Sequence, residues 1–290
     1  MIKILHKEVW AFDAEWVPDP VTGRAVYGLA APLSDLEVIE EMWRQGGATP
    51  DEPHPYLKTV LCRVVSVSVV IRKADQGSPP KLMLFSLPRP EDGCLAEAEL
   101  LKRFLSAVGE AKPQLVGFNS QSADLKILLQ RALVHSLHLP AFCKRPNKPW
   151  EGIDYFARDN DYHVDLKEVL SAWGKSTPTL HEMACACGIP GKIDTTGGTV
   201  IDLWHAGDIR RIVQYNECDA LSTYLLWLRL AHLAGLLSPD QFLQDESALE
   251  QLLKKKGQQP NNDHLLRYLE VWRGFRAPRH DSEEAAQLTA

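Results

Sequence analysis

The chain has 290 residues, 45% of them apolar and 24% charged. That balance is globular, is long enough to bury a full core without disulfides or a structural metal, and argues against a largely disordered chain. A net charge of −6 excludes a chain drawn onto nucleic acid or an anionic membrane by its overall charge, so any such contact must come from local cations.

Residues 9–17 read as a first strand, short, aromatic and β-branched. Residues 18–57 read as an insertion. Within it Ser34-Asp-Leu-Glu37 has the form of a capping box opening a helix to Gln45, and residues 46–55 are loop by composition. Residues 59–72 and 81–87 are a second and third strand. Helical periodicity over 95–109 stops at a glycine. A short buried strand over 114–118 runs through Asn119 into a helix over 121–136. Residues 140–161 are loop-like, with Lys144, Arg145, Lys148 and Trp150. Residues 163–173 and 179–188 read as helices and 190–199 as a polar loop. A long helix capped by Asp208 runs to Ala234. Ser238-Pro239 opens a short helix, 249–256 and 264–275 are helical, and the polar tail 276–290 is expected to be disordered. Strands followed by alternating helices and strands predict an α/β fold with a mixed, partly parallel sheet.

The six cysteines form no CxxC, and no Cys/His set has zinc-ligand spacing, which points to a reducing, cytoplasmic setting. The N-terminal stretch MIKILHKEVW lacks an apolar signal core. Residues 221–237 are interrupted by Arg229 and His232, so no membrane span is expected.

Three placements of acidic residues stand out. Asp13 and Glu15 lie two apart in an apolar strand and so share a face, where two carboxylates lose hydration and repel. Asp124 sits where a strand gives way to a helix. Tyr215 and Asp219 are four apart on one mostly inward helical face. Taken singly each has an ordinary explanation: a solvated strand end, a helix-dipole acid, a rim aspartate. Together they supply four hard oxygen ligands, which suit Mg²⁺ or Mn²⁺ and not zinc. Two such ions clamp the attacking and leaving oxygens of a phosphoryl displacement. GxSxG and GxGxxG are absent, and His163-Val-Asp165 has no nucleophile to serve.

Asp13-Ala-Glu15, Asn119 with Asp124, and Tyr215 with Asp219 resemble the three exonuclease motifs of the DEDD superfamily in its tyrosine branch. The chain is most similar to stand-alone 3′–5′ exonucleases akin to the proofreading domain of family-B DNA polymerases. The segments FDAEWVPDP, HVDLKEVL, TLHEMACACGIPGK and VIDLWHAGDIRRIVQYNECDALSTYLL carry the likeness further. The histidine branch needs His five residues before the last Asp, and Gln214 stands there. The resemblance implies an RNase H-like fold over 1–235, a helical extension over 236–275 packed on it, and two divalent ions. It also implies stepwise release of nucleoside 5′-monophosphates from single-stranded 3′ ends, DNA preferred over RNA. By position, Asp13 would bridge both ions, Glu15 and Asp219 would hold the ion that activates water, Asp124 would reach the other, and Tyr215 would orient the water. Two departures are Ala123, where the family has an aromatic residue, and Trp16, where it often has a small polar one. An RNA or short-oligonucleotide hydrolase, or a binding protein that no longer turns over, are the alternatives these departures leave.

Substrate contacts are expected at Lys192, in the loop the resemblance includes, and at Asn119. Trp16 and Phe118 are candidate stacking platforms, and Gly197-Gly198 would let backbone approach a phosphate.

Overall fold

The computed structural model describes residues 2–75, 78–148, 150–157, 160–171, 176–193 and 200–276. Five strands, β1 (Glu8–Pro18), β2 (Cys62–Lys73), β3 (Lys81–Leu87), β4 (Gln114–Gly117) and β5 (His163–Asp165), form one sheet in the order β3-β2-β1-β4-β5. The pairs β1–β2 and β2–β3 are antiparallel, while β1–β4 and β4–β5 are parallel. The helices, in chain order, are α1 (Pro20–Tyr27), α2 (Asp35–Gln45), α3 (Glu97–Ala111), α4 (Asp124–Val134), α5 (Pro140–Cys143), α6 (Leu166–Ser171), α7 (Leu180–Ala186), α8 (Val200–His205), α9 (Ile209–Leu233), α10 (Pro239–Gly257) and α11 (Asp263–Arg276). The mixed sheet with flanking helices is the RNase H-like α/β arrangement the sequence predicts.

The period-2 alternation of β1 sorts its side chains between two cores. Trp10, Phe12 and Ala14 point to one side and pack with Leu100, Leu101, Phe104 and Leu105 of α3 and with Leu125, Ile127 and Leu128 of α4. Val9 and Ala11 point to the other, against α9, α10 and α11, with Tyr224, Trp227, Leu249, Tyr268 and Trp272. Each large apolar side chain so buried contributes about 1.5–3 kcal/mol. Because both faces are covered, β1 is held as a rigid central plank, and Asp13 and Glu15 are the continuation of its Val9/Ala11 face. Their cross-strand partners are small: Ser68 opposite Asp13 and Ser66 opposite Glu15, both fully buried. A register shift follows directly, with Trp16 opposite Val64, so Val65 bulges.

Buried polar groups tie the elements across the sheet. Arg72 of β2 forms a two-pronged pair with Asp245 of α10, at 2.6 and 3.0 Å. Glu217 of α9 accepts from Ser86 of β3 and pairs with His264 of α11 at 2.7 Å. On the other face Arg131 of α4 meets Glu97 of α3 at 2.7 Å and Asp19, the cap of α1, at 3.0 Å.

Several expectations are corrected. Residues 163–173 do not open as a helix: 163–165 form β5, followed by α6, and residue 173 lies outside the described residues. Three residues are too few to display a period of two, and parallel pairing to β4 decides the matter. Residues 59–61 are a 3₁₀ turn rather than strand. The insertion carries a second helix, α1, capped by Asp19 with Pro20 at its first position. The helix opened by Ser238 runs unbroken through α10 rather than stopping short. The capping boxes at Ser34 and Ser238 and the cap at Asp208 form as read. Gly197, Gly198 and the tail beyond 276 lie outside the described residues. Among the described residues no helix is long and apolar enough to cross a membrane.

Candidate active site

Asp13 and Glu15 come from β1, and Asp219 comes from α9, which packs across β1 and β2. One carboxylate oxygen from each of the three lies within 4.8 Å of the others. The side chains are half-buried, open to solvent on one side and closed by the sheet on the other. Asp13 is fixed by a residue the sequence reading did not single out. Asn216, fully buried, donates from Nδ2 to Asp13 Oδ2 at 2.7 Å, and its Oδ1 accepts from Ser66 Oγ at 3.1 Å. The amide thus aligns one carboxylate oxygen of Asp13 against α9. Its signal in the sequence is a polar side chain at an inward position, four residues from each of the buried Ile212 and Ala220.

Asp124 stands beside this trio and outside its 4.8 Å circle. It is the first residue of α4, buried, and its Oδ1 accepts from the backbone N–H of Ala14 at 3.1 Å. It therefore grips β1 between Asp13 and Glu15. The loop that delivers it is tight. A Cβ on Gly117 would collide with the Ser120 side chain, so glycine is needed there. Asn119 adopts the left-handed conformation at φ 65°. The buried Asp165, at the end of β5, accepts from the N–H groups of Asn119 at 2.8 Å, Gln121 at 2.9 Å and Lys167 at 3.0 Å. Asp165 is a second such residue: the sequence reading set it aside with His163 for want of a nucleophile, and an acid flanked by the buried Val164 and Leu166 is the mark it carries.

Four carboxylates this close cannot all ionise comfortably. Burial, then the charges of Asp124, Glu15 and Asp219, push Asp13 well above the usual carboxylate range, against the pull of the Asn216 hydrogen bond. Glu15 is raised in the same way by burial and by Asp219 and Asp124. Burial lifts Asp124 to about 7 and Asp219 to about 6. Part of this is offset: the Tyr215 hydrogen bond and then the Lys192 ammonium pull Asp219 down, and Lys192 also pulls on Glu15. One lysine does not neutralise four acids, and an all-oxygen donor set with surplus negative charge fits a hard divalent cation.

Tyr215 shares a hydrogen bond with Asp219, and burial followed by the charges of Asp219, Glu15 and Asp13 pushes its phenol far up. In the metal-free site the hydroxyl is therefore protonated and donates to Asp219. Lys192 is exposed on the loop after α7, where its backbone N–H donates to His181 Nδ1 at 3.0 Å. Asn119 lies on the loop leading to Asp124. Trp16 and Phe118 are half-buried, each packed against a core cluster on its own side of the sheet. Of the cations in 140–161, Arg145 pairs with Asp154 at 2.6 Å and Lys148 lies over Trp150. An apolar cavity of about 370 Å³ between β3 and α3 includes none of the four acids or Tyr215 in its lining.

A family model described as a predicted 3′–5′ exonuclease related to the exonuclease domain of PolB matches residues 54–272. The match contains Asp124, Tyr215 and Asp219 and starts after the strand that carries Asp13 and Glu15. No curated protein matches the chain.

Proposed function

The chain belongs to the family of predicted 3′–5′ exonucleases related to the exonuclease domain of PolB, and from that premise we propose that it removes nucleotides from single-stranded DNA 3′ ends by two-metal hydrolysis, as a tyrosine-branch enzyme. The observation that carries this reading is the meeting of Asp13, Glu15 and Asp219 oxygens within 4.8 Å, with Asp124 bonded to the backbone between the first two. Bound to these oxygens, two Mg²⁺ or Mn²⁺ ions would supply the acidity and charge neutralisation that phosphodiester hydrolysis requires.

The chain's own residues do the rest. Asp13, Glu15, Asp219 and Asp124 would hold the cations, whose charge would offset the repulsion that raises all four. Tyr215, hydrogen-bonded to Asp219, fixes the direction of the attacking water. Lys192, whose charge already reaches Glu15 and Asp219, meets the anionic strand at the open side. Asn119 backs the terminal nucleotide, while Trp16 and Phe118 line it with their edges. Residues 1–235 are the catalytic domain. Residues 236–275 complete it, a reading supported by the buried Arg72–Asp245 pair and by a family match that runs to 272.

The test is a pair of 5′-labelled strands of one sequence, DNA and RNA, incubated with Mn²⁺. Stepwise shortening from the 3′ end, faster on DNA, is expected. No shortening with any divalent ion would overturn the reading, and faster RNA decay would replace its substrate.

A further inference from the structure

We propose that Asp165 is a positioning residue of this site: from the end of β5, its carboxylate holds the loop that sets Asp124. The inference rests on the exonuclease reading above. Asp165 is 5% exposed, and both of its oxygens are used. Oδ1 accepts from Asn119 N and Lys167 N, and Oδ2 from Gln121 N, all at 2.8–3.0 Å. Three of roughly four lone-pair directions of a carboxylate are thereby taken by backbone donors, which makes it a strut and not a cation ligand.

The strut acts on a segment that transmits displacement. Asn119 is held in the left-handed region, and Gly117 and Ser120 are in van der Waals contact. From there Ala123 N bonds to Asn119 O at 3.0 Å and Leu125 N to Ser120 O at 2.8 Å, which ties residues 119–125 into one hydrogen-bonded piece. Asp124 rides on that piece and must bring Oδ1 to the Ala14 N–H at 3.1 Å. The Asp165 charge is felt at Asp124, which it helps to raise. A second tie from the same strand, His163 Nε2 to Ser120 Oγ at 2.9 Å, grips the loop one residue further on. β5 has only three residues, yet alternate side chains of it, 163 and 165, both serve this loop.

Asp165→Asn in the full chain keeps the volume and turns one acceptor oxygen into a donor facing an N–H. The expected result is a kcat on a labelled DNA strand lower by about tenfold or more, with KM unchanged. Mn²⁺ half-saturation, read by electron paramagnetic resonance without substrate, should rise several-fold while circular dichroism stays native. Asp165→Glu keeps the buried charge but displaces it by one methylene, and the same pair of losses is expected. Native kcat and native Mn²⁺ affinity in either folded variant would overturn the proposal. So would unfolding of both, because the carboxylate would then be holding the domain and not the loop. A wild-type chain that fails to shorten DNA strikes the exonuclease reading instead, and the Mn²⁺ titration still reports on Asp165.

Discussion

The two halves of the acidic site are built by different physics. Asp13, Glu15 and Asp219 stand where β1 and α9 pack together, backed by the apolar clusters on both faces of the sheet. Asp124 stands at the end of a loop whose shape is dictated by hydrogen bonds: three N–H groups on Asp165, one on Asp124 itself, and a glycine where a Cβ would not fit. Packing resists displacement in all directions and tolerates the loss of one contact. A hydrogen-bonded loop is directional and fails when one acceptor is lost. The halves should therefore differ in what breaks them.

Removing a ligand from the packed half gives the largest effect. Asp13→Ala should lower exonuclease turnover by at least about 10³-fold while the circular dichroism spectrum is unchanged, since the strand keeps its packing and loses a repelled charge. A variant that keeps more than a tenth of wild-type activity would show that the trio is not the reacting centre. Next comes Asn216→Ala, which leaves the acids in place but frees Asp13 to turn. Turnover should fall by about 10–100-fold, with Mn²⁺ affinity falling in parallel in calorimetry. If this loss is smaller than that of Asp165→Asn, the packed half needs no polar support and the contrast sharpens; if the two are equal, the contrast weakens.

The smallest effect separates the halves by pH. Without metal, the folded chain still binds protons at Asp219 up to pH about 6 and at Asp124 up to pH about 7. The unfolded chain has released them by about pH 4. The folded state binds more protons in that window, so stability must fall as pH rises from about 4 to about 7. Metal-free thermal midpoints should drop by several °C across it, and Mn²⁺ at pH 8 should restore them. Asp124→Asn should make the slope shallower across the whole window, whereas Asp219→Asn should do so only below about 6. A flat metal-free profile would mean that the acids are solvated and unpaired.

Much of this was legible in the residues. β1 was visible because aromatic and β-branched side chains alternate with acids that have no reason to be there, and the boundaries of β3 match the reading to the residue. The four acids and Tyr215 were found because their types and order are chemical, independent of the path between them. What stayed hidden depends on tertiary distance. Asn216 reaches Asp13 across 203 positions and Asp165 reaches Asn119 across 46, and neither spacing leaves a periodic trace. β5 was read as helix because two of its three residues are polar and a real helix follows at once.

Arg131 has a consequence for shortening the protein. Its guanidinium lies 3% exposed between Glu97 of α3 and Asp19, and Thr22 of α1 offers it a further oxygen at 3.2 Å. Excising 18–57 as a dispensable loop would strip this cation of half its partners and leave a poorly compensated charge on the buried face of α4, the helix that carries Asp124. A minimal nuclease cut from this chain has to keep Asp19 and Thr22, because Glu97 alone, which also accepts the Val64 N–H at 2.7 Å, cannot satisfy Arg131.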